Sequence, residues 1–405
     1  MFFDGKHSET SNKFIKNSPS MLNNIFGTED VTPMWVADMD FVIANPIKEE
    51  LLRLANRAQF AYEFDSESVF NAISKWFKKR HALELKTENF TQVSGVLTGI
   101  ALLIRELTQE GEGILIQSPA YHQFAKVIQT ANRKLVKSPL EIVDGNYQMN
   151  IEDIENKLSA PDINLMILCN PHNPVGRVWK KDELIELTEI ANKHNVTIIS
   201  DEIHADIIYE GHTFTSLMQI DPEHHISLIG SPSKTFGLQS ISNGYIYTEN
   251  QNLHQRVKAA SSSMYLDHGN AFTTFATIAA YEHGEEWLDQ LIEYLSGNLS
   301  WIKNFLSTEL PEVKASPVEG TYQIWLDFND LNLEGDRLIE VFGTAGFGAS
   351  PGTWFDSNAT SFARVNFAIP LSEIQKTFIA LKQTLADINT HASSTNGASK
   401  KQACC

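Results

Sequence analysis

Cysteine is scarce in this sequence, and long apolar runs are absent. The 405 residues include three cysteines, Cys169, Cys404 and Cys405, which cannot build a disulfide framework. Such cysteine usage is typical of a reducing compartment, so we expect a cytoplasmic protein. No run approaches the ~18 apolar residues that a membrane span needs, and residues 1–10 lack the apolar core of a signal peptide. We therefore expect no membrane partner.

Basic residues are outnumbered by acidic ones. The chain has 32 Lys and Arg against 50 Asp and Glu, which gives a formal net charge of −18. Such a charge repels phosphate backbones, so we expect no nucleic-acid partner. A glycine-rich phosphate loop is also lacking, since residues 343–352 fit neither a Walker loop nor a dinucleotide fingerprint. A nucleotide-binding α/β protein is therefore disfavoured, and we predict no metal site.

The C-terminal end is a segment of low complexity. Residues 393–401 are rich in Ser, Asn, Gly and Lys, so we predict a disordered tail over 391–405. The Cys404-Cys405 pair raises lipidation as an alternative to a frayed end or an expression remnant. The prenylation pattern with cysteine fourth from the end is missing, because Gln402 stands there.

The composition that remains is that of a soluble protein with more than one domain. The chain is 42% hydrophobic and 20% charged, which is ordinary for a globular protein. A chain of this length normally splits into domains. We predict an N-terminal arm (1–45) that joins the small domain, a large domain (46–285) and a small C-terminal α/β domain (286–390).

Short apolar runs alternate with amphipathic ones in the middle of the chain. Residues 182–194 have the spacing of an amphipathic helix, with Asp182 as its predicted N-cap. Buried strands that alternate with helices predict an α/β fold with a mostly parallel sheet covered by helices. The predicted strands are 113–117, 165–169, 196–200, 226–230 and 244–247.

Polar clusters follow three of these strands. The segment 170–176 contains two Asn-Pro steps, 201–204 begins with a carboxylate, and 231–235 contains a lysine among hydroxyls. In such sheets ligands bind beyond the carboxyl ends of the strands. A carboxylate, an amide, an imidazole, hydroxyls and a lysine are the groups that a pyridine aldehyde phosphate requires. A helix that starts near Leu97 provides an N-terminus for the phosphate.

Seven motifs follow one another along the chain, at 35–41, 94–96, 118–122, 170–176, 200–204, 231–236 and 364–368. Together they resemble the motifs of the class I/II aminotransferase superfamily of fold-type I pyridoxal-5′-phosphate (PLP) enzymes, and the chain is most similar to the MalY/PatB-type cystathionine β-lyase branch. The resemblance implies a fold-type I PLP-dependent transferase fold with a seven-stranded type of sheet, PLP as cofactor, an amino-acid substrate and a homodimer.

The resemblance also implies residue roles. Lys234 binds the cofactor as a Schiff base and moves the substrate Cα proton, Asp201 pairs with the pyridine nitrogen, and Tyr121 stacks on the ring. Asn173 donates to the phenolic oxygen. Substrate contacts are implied for Arg364, which forks the α-carboxylate, and for Ala37 and Asn173. The other implied cofactor contacts are His204, Val96, Leu97, Ser231, Ser233 and, from a partner subunit, Tyr62.

Two positions depart from the pattern of many aminotransferases. His204 stands where a Tyr is usual, which is typical of the lyase-like branch, although it could lie near the site without touching the cofactor. Ser242 stands where an Arg usually binds the phosphate. The sequence does not identify the group that would balance the phosphate charge in place of that Arg. Tyr62 could instead be a core residue beside Phe60 and Phe64. Two further acidic residues, Asp38 and Asp40, are interpreted as orienting their loop.

The leading hypothesis is a PLP-dependent carbon–sulfur β-lyase that cleaves L-cystathionine or a related cysteine S-conjugate to a thiol, pyruvate and ammonia. The first alternative is an aminotransferase, which uses the same lysine and aspartate. The second is a regulatory binding protein that retains the PLP fold.

Overall fold

The computed structural model describes Phe3 and residues 13–63, 65–222, 225–241 and 243–398, except for the side chains of 389–398. Phe64, Ser242 and the Cys404-Cys405 pair, to which the sequence predictions refer, lie outside the described residues. Among these residues no helix has the length and apolar character needed to cross a membrane.

The regular elements alternate between helices and strands through the middle of the chain. The helices are α1 (Pro19–Phe26), α2 (Asn45–Arg57), α3 (Ser66–His81), α4 (Val96–Leu107), α5 (His122–Thr130), α6 (Ile151–Leu158), α7 (Lys181–Lys193), α8 (Ser233–Phe236), α9 (Gln251–Ser263), α10 (Ala271–His283), α11 (Glu285–Glu309), α12 (Gly335–Ala345) and α13 (Leu371–Ala398). The strands are β1 (Thr32–Pro33), β2 (Phe90–Val93), β3 (Gly113–Ser118), β4 (Lys134–Pro139), β5 (Glu141–Val143), β6 (Asn146–Gln148), β7 (Ile163–Cys169), β8 (Thr197–Asp201), β9 (Ile226–Gly230), β10 (Gly244–Tyr247), β11 (Lys314–Ala315), β12 (Gln323–Asp327), β13 (Phe347–Gly348), β14 (Ser350–Pro351) and β15 (Phe362–Asn366). Short 3-10 helices cover Ile15–Asn17, Thr87–Asn89, Leu217–Gln219, Asn329–Leu331 and Gly352–Trp354.

The chain divides into two compact units. The large unit comprises Val42–Glu293 and Ser316–Thr321, and the small unit comprises Met1–Phe41, Tyr294–Ala315 and Tyr322–Cys405. The domain borders predicted after residues 45 and 285 stay predictions. The units of the structure depart from these bounds in three segments, because 42–45, 286–293 and 316–321 all belong to the large unit.

A seven-stranded sheet forms the centre of the large unit, in the order β2-β10-β9-β8-β7-β3-β4. The four pairs between β9 and β4 are parallel, whereas β10 is antiparallel to both of its neighbours. The residues of β3, β8 and β9 are buried throughout, as a sheet covered on both faces requires. The predicted α/β class with a mostly parallel sheet is confirmed.

The helix predicted over 182–194 begins one residue earlier and has a different cap. Helix α7 starts at Lys181, and Asp182 lies in its first turn. Glu183 accepts a hydrogen bond from the Lys180 backbone N–H at 2.7 Å, which satisfies the N-cap residue. The prediction of Asp182 as N-cap was wrong, because a carboxylate three residues into the helix reaches back to the preceding N–H.

The small unit contains a four-stranded sheet in the order β11-β12-β15-β14, and all of its pairs are antiparallel. Helix α13 extends to Ala398, so it overlaps the first part of the tail that was predicted to be disordered. Adding a residue to an existing helix requires no new nucleus, which explains how poor helix formers can continue it. The rest of the predicted tail lies outside the described residues.

The segment 316–321 joins the large unit through hydrogen bonds to the chain that follows β7. The backbone N–H groups of Glu319 and Gly320 donate to the Gly176 carbonyl at 2.8 and 3.0 Å. The Glu319 carboxylate accepts from the Val178 N–H at 2.8 Å and from Arg177 Nη1 at 3.3 Å. These contacts connect residues more than 140 positions apart, which is why a division by sequence position could not place them.

Replacing Glu319 with alanine is expected to destabilise the protein, because a buried N–H and one guanidinium nitrogen lose their acceptor. We expect the free energy of unfolding to fall by about 2 kcal/mol, measured by urea denaturation. Glu319→Gln keeps an acceptor oxygen, so its free energy of unfolding should fall by less than that of Glu319→Ala. The matched control is Glu186→Ala on the exposed face of α7. Equal stability of the Glu319→Ala and Glu186→Ala variants would contradict this role.

Candidate active site

The candidate site lies at the carboxyl edge of the parallel strands in the large unit. Asp201 ends β8, where it pairs in register with Cys169 of β7 and Ile229 of β9. The Asn170 N–H donates to the Asp201 carbonyl at 3.0 Å, and the Glu202 N–H donates to the Ile229 carbonyl at 3.0 Å. The three polar clusters predicted after these strands therefore begin at one edge.

Asp201 is a buried carboxyl group beside a lysine. Its Oδ1 atom accepts from the Ile203 N–H at 3.1 Å. Burial raises the pKa of Asp201 to about 7, against the lowering effects of that N–H and of the Lys234 charge. Ionising a buried carboxyl group costs free energy, and a cation placed against it offsets that cost by stabilising the carboxylate.

A second buried acid adjoins the first. Glu202 Oε1 accepts from the Ser200 hydroxyl at 2.9 Å, the Ser216 hydroxyl at 3.0 Å and the Leu217 N–H at 3.2 Å. Burial raises the pKa of Glu202 to about 8, and the Asp201 charge adds to the effect of burial. Burial therefore opposes ionisation of both adjacent acids, and a charge on Asp201 further opposes ionisation of Glu202.

Lys234 lies in the short helix α8 after β9, flanked by two buried serines. The Ser231 hydroxyl donates to the Asn243 carbonyl at 2.7 Å and accepts from the Ser233 N–H at 3.2 Å. The Asn243 Nδ2 atom is buried and has no hydrogen-bond partner among the described residues. The sequence analysis did not single out Asn243, because an isolated Asn has no pattern that marks it as functional.

The loop after β7 contains Asn173, which is buried, and His172, which connects it to the loop after β3. His172 Nε2 donates to the Pro119 carbonyl at 2.8 Å. Burial lowers the pKa of His172 to about 4, so the imidazole is neutral at physiological pH. His172 was missed in the sequence, although its place between two Asn-Pro steps marks it as part of a fixed loop.

Tyr121 and His204 border the same edge. Tyr121 is the half-buried N-cap residue of α5, and its ring makes edge contacts with His122 at 5.0 Å and Phe124 at 5.6 Å between centroids. His204 is buried three residues after Asp201. The stacking role of Tyr121 and the cofactor contact of His204 stay predictions.

Helix α4 presents an uncapped N-terminus in the large unit. Its N-cap residue is Gly95, no side chain caps it, and a Cβ atom on Gly95 would meet nothing within 4 Å. A Cβ on Gly244 of β10 would come within 2.7 Å of Gly95, so only glycine permits this approach. The first N–H groups, which include those of Val96 and Leu97, are available to an anion.

Tyr62 is 97% exposed and Phe60 is 58% exposed, so the alternative that Tyr62 is a core residue is wrong for this chain. The reason is that residues 58–63, which follow α2, have no regular secondary structure and are mostly exposed. A role of Tyr62 toward a partner subunit stays a prediction.

The predicted substrate residues Arg364 and Ala37 belong to the small unit. Arg364 is 3% exposed, and its Nη2 atom donates to the Trp35 carbonyl at 2.7 Å and to the Ser350 hydroxyl at 3.3 Å. Its guanidinium lies 4.7 Å from the Phe355 ring centroid. The Ala37 carbonyl accepts from the Tyr322 hydroxyl at 3.1 Å. The guanidinium is thus held in one place, as recognition of a carboxylate requires.

Asp38 and Asp40 form ion pairs with Lys16, a buried lysine that the sequence did not single out. Burial lowers the pKa of Lys16, and the Asp38 charge opposes that effect. Asn366 Nδ2 donates to the Val36 carbonyl at 2.7 Å and to the Asp38 carbonyl at 2.5 Å. These contacts hold the 35–41 motif within the small unit.

The sequence profile of the family described as "Aminotransferase class I and II" matches residues 42–379. The chain belongs to this family. Cystathionine beta-lyase PatB of Bacillus subtilis (strain 168) is 33% identical over 389 residues, which cover 95% of this chain and 100% of that protein.

Two solved structures resemble the chain over 95% of its length. Cystalysin from Treponema denticola, which contains a pyridoxal 5′-phosphate cofactor, superposes with a TM-score of 0.89 at 29% identity, covering 95% of this chain and 99% of that chain. The PLP-bound C-S lyase from Staphylococcus hominis superposes with a TM-score of 0.87 at 29% identity, covering 95% and 97%. The fold-type I architecture that the motifs implied is confirmed.

Proposed function

We propose that this chain is a PLP-dependent carbon–sulfur β-lyase that cleaves L-cystathionine or a related cysteine S-conjugate. The observation that carries the proposal is the buried Asp201 carboxyl group, within electrostatic reach of Lys234, at the carboxyl edge of the sheet. The names of the relatives support the choice of a lyase, since cystathionine beta-lyase and C-S lyase recur among them.

The residues of the large unit fit PLP as a bound group. Asp201 would hold a proton on the pyridine nitrogen, because an adjacent cation favours the ionised carboxyl group. The uncapped start of α4 would bind the phosphate, and Asn243 Nδ2 adds a buried donor without adding charge. Asn173 would donate to the phenolic oxygen, and Lys234 would hold the aldehyde carbon covalently.

Bound PLP supplies an electron sink for the charge that remains when the substrate loses its Cα proton. Lys234 Nζ would accept that proton, and Arg364 would orient the substrate through its α-carboxylate. The carbon–sulfur bond would then break, with the thiol leaving from Cβ. With one water consumed, the products are the thiol, pyruvate and ammonia, so that atoms balance without an oxidant.

Two finer features belong to the same proposal. We infer a homodimer, because the highly exposed Tyr62 and Phe60 suit contact with a second copy of the chain. We infer a cytoplasmic enzyme, because Cys169 is a buried free thiol and the sequence offers no disulfide framework.

The deciding experiment supplies the PLP-loaded protein with L-cystathionine and measures pyruvate and free thiol over time. Steady production of both in equal amounts is the expected result. Pyridoxamine phosphate with no pyruvate, and turnover only after a keto acid is added, would identify an aminotransferase instead. Absence of covalently bound PLP after reduction with borohydride would overturn both and favour a regulatory binding protein.

A further inference from the structure

Asp206 is a buried carboxylate that accepts three hydrogen bonds from side chains. Its Oδ1 atom accepts from Trp76 Nε1 at 2.8 Å and from His81 Nε2 at 2.9 Å. Its Oδ2 atom accepts from the Thr235 hydroxyl at 2.8 Å. Both Asp206 and Thr235 are buried.

These contacts link two segments of the candidate site to a third element. Asp206 lies five residues after Asp201, in the chain that follows β8, and Thr235 is the residue directly after Lys234. Trp76 and His81 both belong to α3. The Asp206 carboxylate therefore links the segment that contains Asp201 to the segment that contains Lys234, and both of them to helix α3.

Helix α8 cannot hold its own orientation. It has four residues and ends at Gly237, which has a φ of 71°. A single turn of helix is unstable alone, so its geometry depends on tertiary contacts. Those contacts come from Thr235, through its hydroxyl, and from Phe236, whose ring centroid lies 5.5 Å from that of Trp76 and 5.7 Å from that of Tyr281.

The direction of the Lys234 side chain follows from that anchoring. Successive helical residues are rotated by about 100°, so a fixed Thr235 fixes where the preceding residue points. Burial opposes ionisation of Asp206, but hydrogen bonds from His81, Trp76 and Thr235 and the His81 charge together hold its pKa below the usual value. An ionised acceptor makes the Thr235 hydrogen bond charge-assisted and stronger than a neutral one.

We propose that Asp206 and Thr235 are a positioning pair that sets the place of the Lys234 amine, an inference that rests on the proposed function. Neither residue would touch the substrate or PLP. Their effect would be on how often the amine is in reach of the reacting carbon, and therefore on covalent attachment and on proton transfer more than on substrate binding.

The test compares Thr235→Val, which keeps the shape and removes the hydroxyl, with Thr235→Ser, which keeps the hydroxyl. Thr188→Val is the matched control, because Thr188 is a buried threonine of α7 whose hydroxyl donates to the Leu184 carbonyl of its own helix. The first readout is the fraction of bound PLP that borohydride fixes to Lys234, measured by mass spectrometry. The second is the separate change of kcat and KM with L-cystathionine.

We expect Thr235→Val to lower kcat roughly tenfold to a hundredfold, since a displacement of about 1 Å at a reacting group has effects of that size. KM should change little, the borohydride-fixed fraction should fall, and Thr235→Ser should restore both. Asp206→Asn should behave like Thr235→Val, because its amide turns a donor toward the Thr235 hydroxyl. If Thr235→Val does not fold, Thr235→Ala takes its place in the comparison with serine.

A Thr235→Val variant with the wild-type fixed fraction and kcat would overturn the positioning role, and so would equal losses in the valine and serine variants. Failure of the proposed function has a different signature. In that case the unmodified protein itself would show no PLP fixed to Lys234 and no pyruvate.

Discussion

Lys234→Ala is expected to abolish pyruvate production, with kcat reduced by at least about 10³-fold. Two functions are lost at once, because the same amine would hold the cofactor covalently and accept the Cα proton. The fold should remain, since Lys234 is only half-buried and its neighbours Ser231, Ser233 and Thr235 keep their hydrogen bonds. Thermal unfolding of the PLP-free protein should therefore be close to that of the wild type.

The measurement is pyruvate release from L-cystathionine by the PLP-loaded variant, together with its absorbance spectrum before and after borohydride. Lys181→Ala, at an exposed position of α7, is the matched control and should retain full activity. Pyruvate at the wild-type rate in Lys234→Ala would remove the basis of the proposed mechanism. A biological effect that survives the substitution while turnover is lost would point to the regulatory alternative.

Asp201→Asn is expected to lower kcat by about 10²- to 10³-fold, the size of effect seen when one preorganised electrostatic partner is removed. An amide of the same shape cannot hold a proton on the pyridine nitrogen, so the bound ring would draw less charge from Cα. Glu202→Gln is the matched control, because it changes a buried acid in the same turn whose partners are Ser200, Ser216 and Leu217. Its activity should fall far less.

The same substitution is expected to stabilise the PLP-free protein at neutral pH. Burial raises the pKa of Asp201 from 3.8 to about 7, so between about pH 4 and pH 7 the folded chain binds more protons than the unfolded chain. The free energy of unfolding of the wild type therefore falls as pH rises through that window. The amide that replaces the carboxyl group has no proton to lose, so the variant should gain stability over the wild type with rising pH and keep the gain above pH 7.

Urea denaturation of the PLP-free proteins at about pH 3, 6 and 8 would measure this difference, with roughly equal stability expected near pH 3, where the carboxyl group is protonated in both the folded and the unfolded chain. Glu202 is present in both proteins, and the Asp201 charge contributes to its raised pKa, so the difference between the two proteins reports Asp201 together with its effect on Glu202. With PLP bound, the wild type should instead be more stable than Asp201→Asn, because its carboxylate then gains the pyridinium as a cationic neighbour. A variant less stable than the wild type at pH 8 without PLP would contradict the raised pKa of this buried acid.

Most of the central sheet could be predicted from the sequence. The runs at 226–230 and 244–247 match β9 and β10 in both bounds, and the runs that became β3, β7 and β8 miss by two residues or fewer at either end. Apolar strands in a covered sheet stand out because both faces are buried, which leaves a continuous hydrophobic run. The start of helix α7 was predicted less well, since it depends on which acidic side chain accepts a hydrogen bond from the N-cap N–H.

The candidate site was predictable where residues follow strands directly. The sequence placed Asp201, Asn173 and Lys234 after neighbouring strands, and the structure has those strands side by side, because the carboxyl ends of parallel strands share one edge. Asp206, His172 and Lys16 were not found, because their contacts join segments far apart in the chain. Asp206 meets Trp76 across 130 positions.

By itself, the amino-acid sequence determined the α/β class, the order of motifs and the residues that stand at the strand ends. These follow from local periodicity and turn chemistry, which act over a few residues. Only the tertiary structure decided that 316–321 joins the large unit, that Asp201 is buried enough to raise its pKa, and that Thr235 is anchored by Asp206. Burial and long-range hydrogen bonds arise from packing between distant segments, and no local pattern encodes which segments meet.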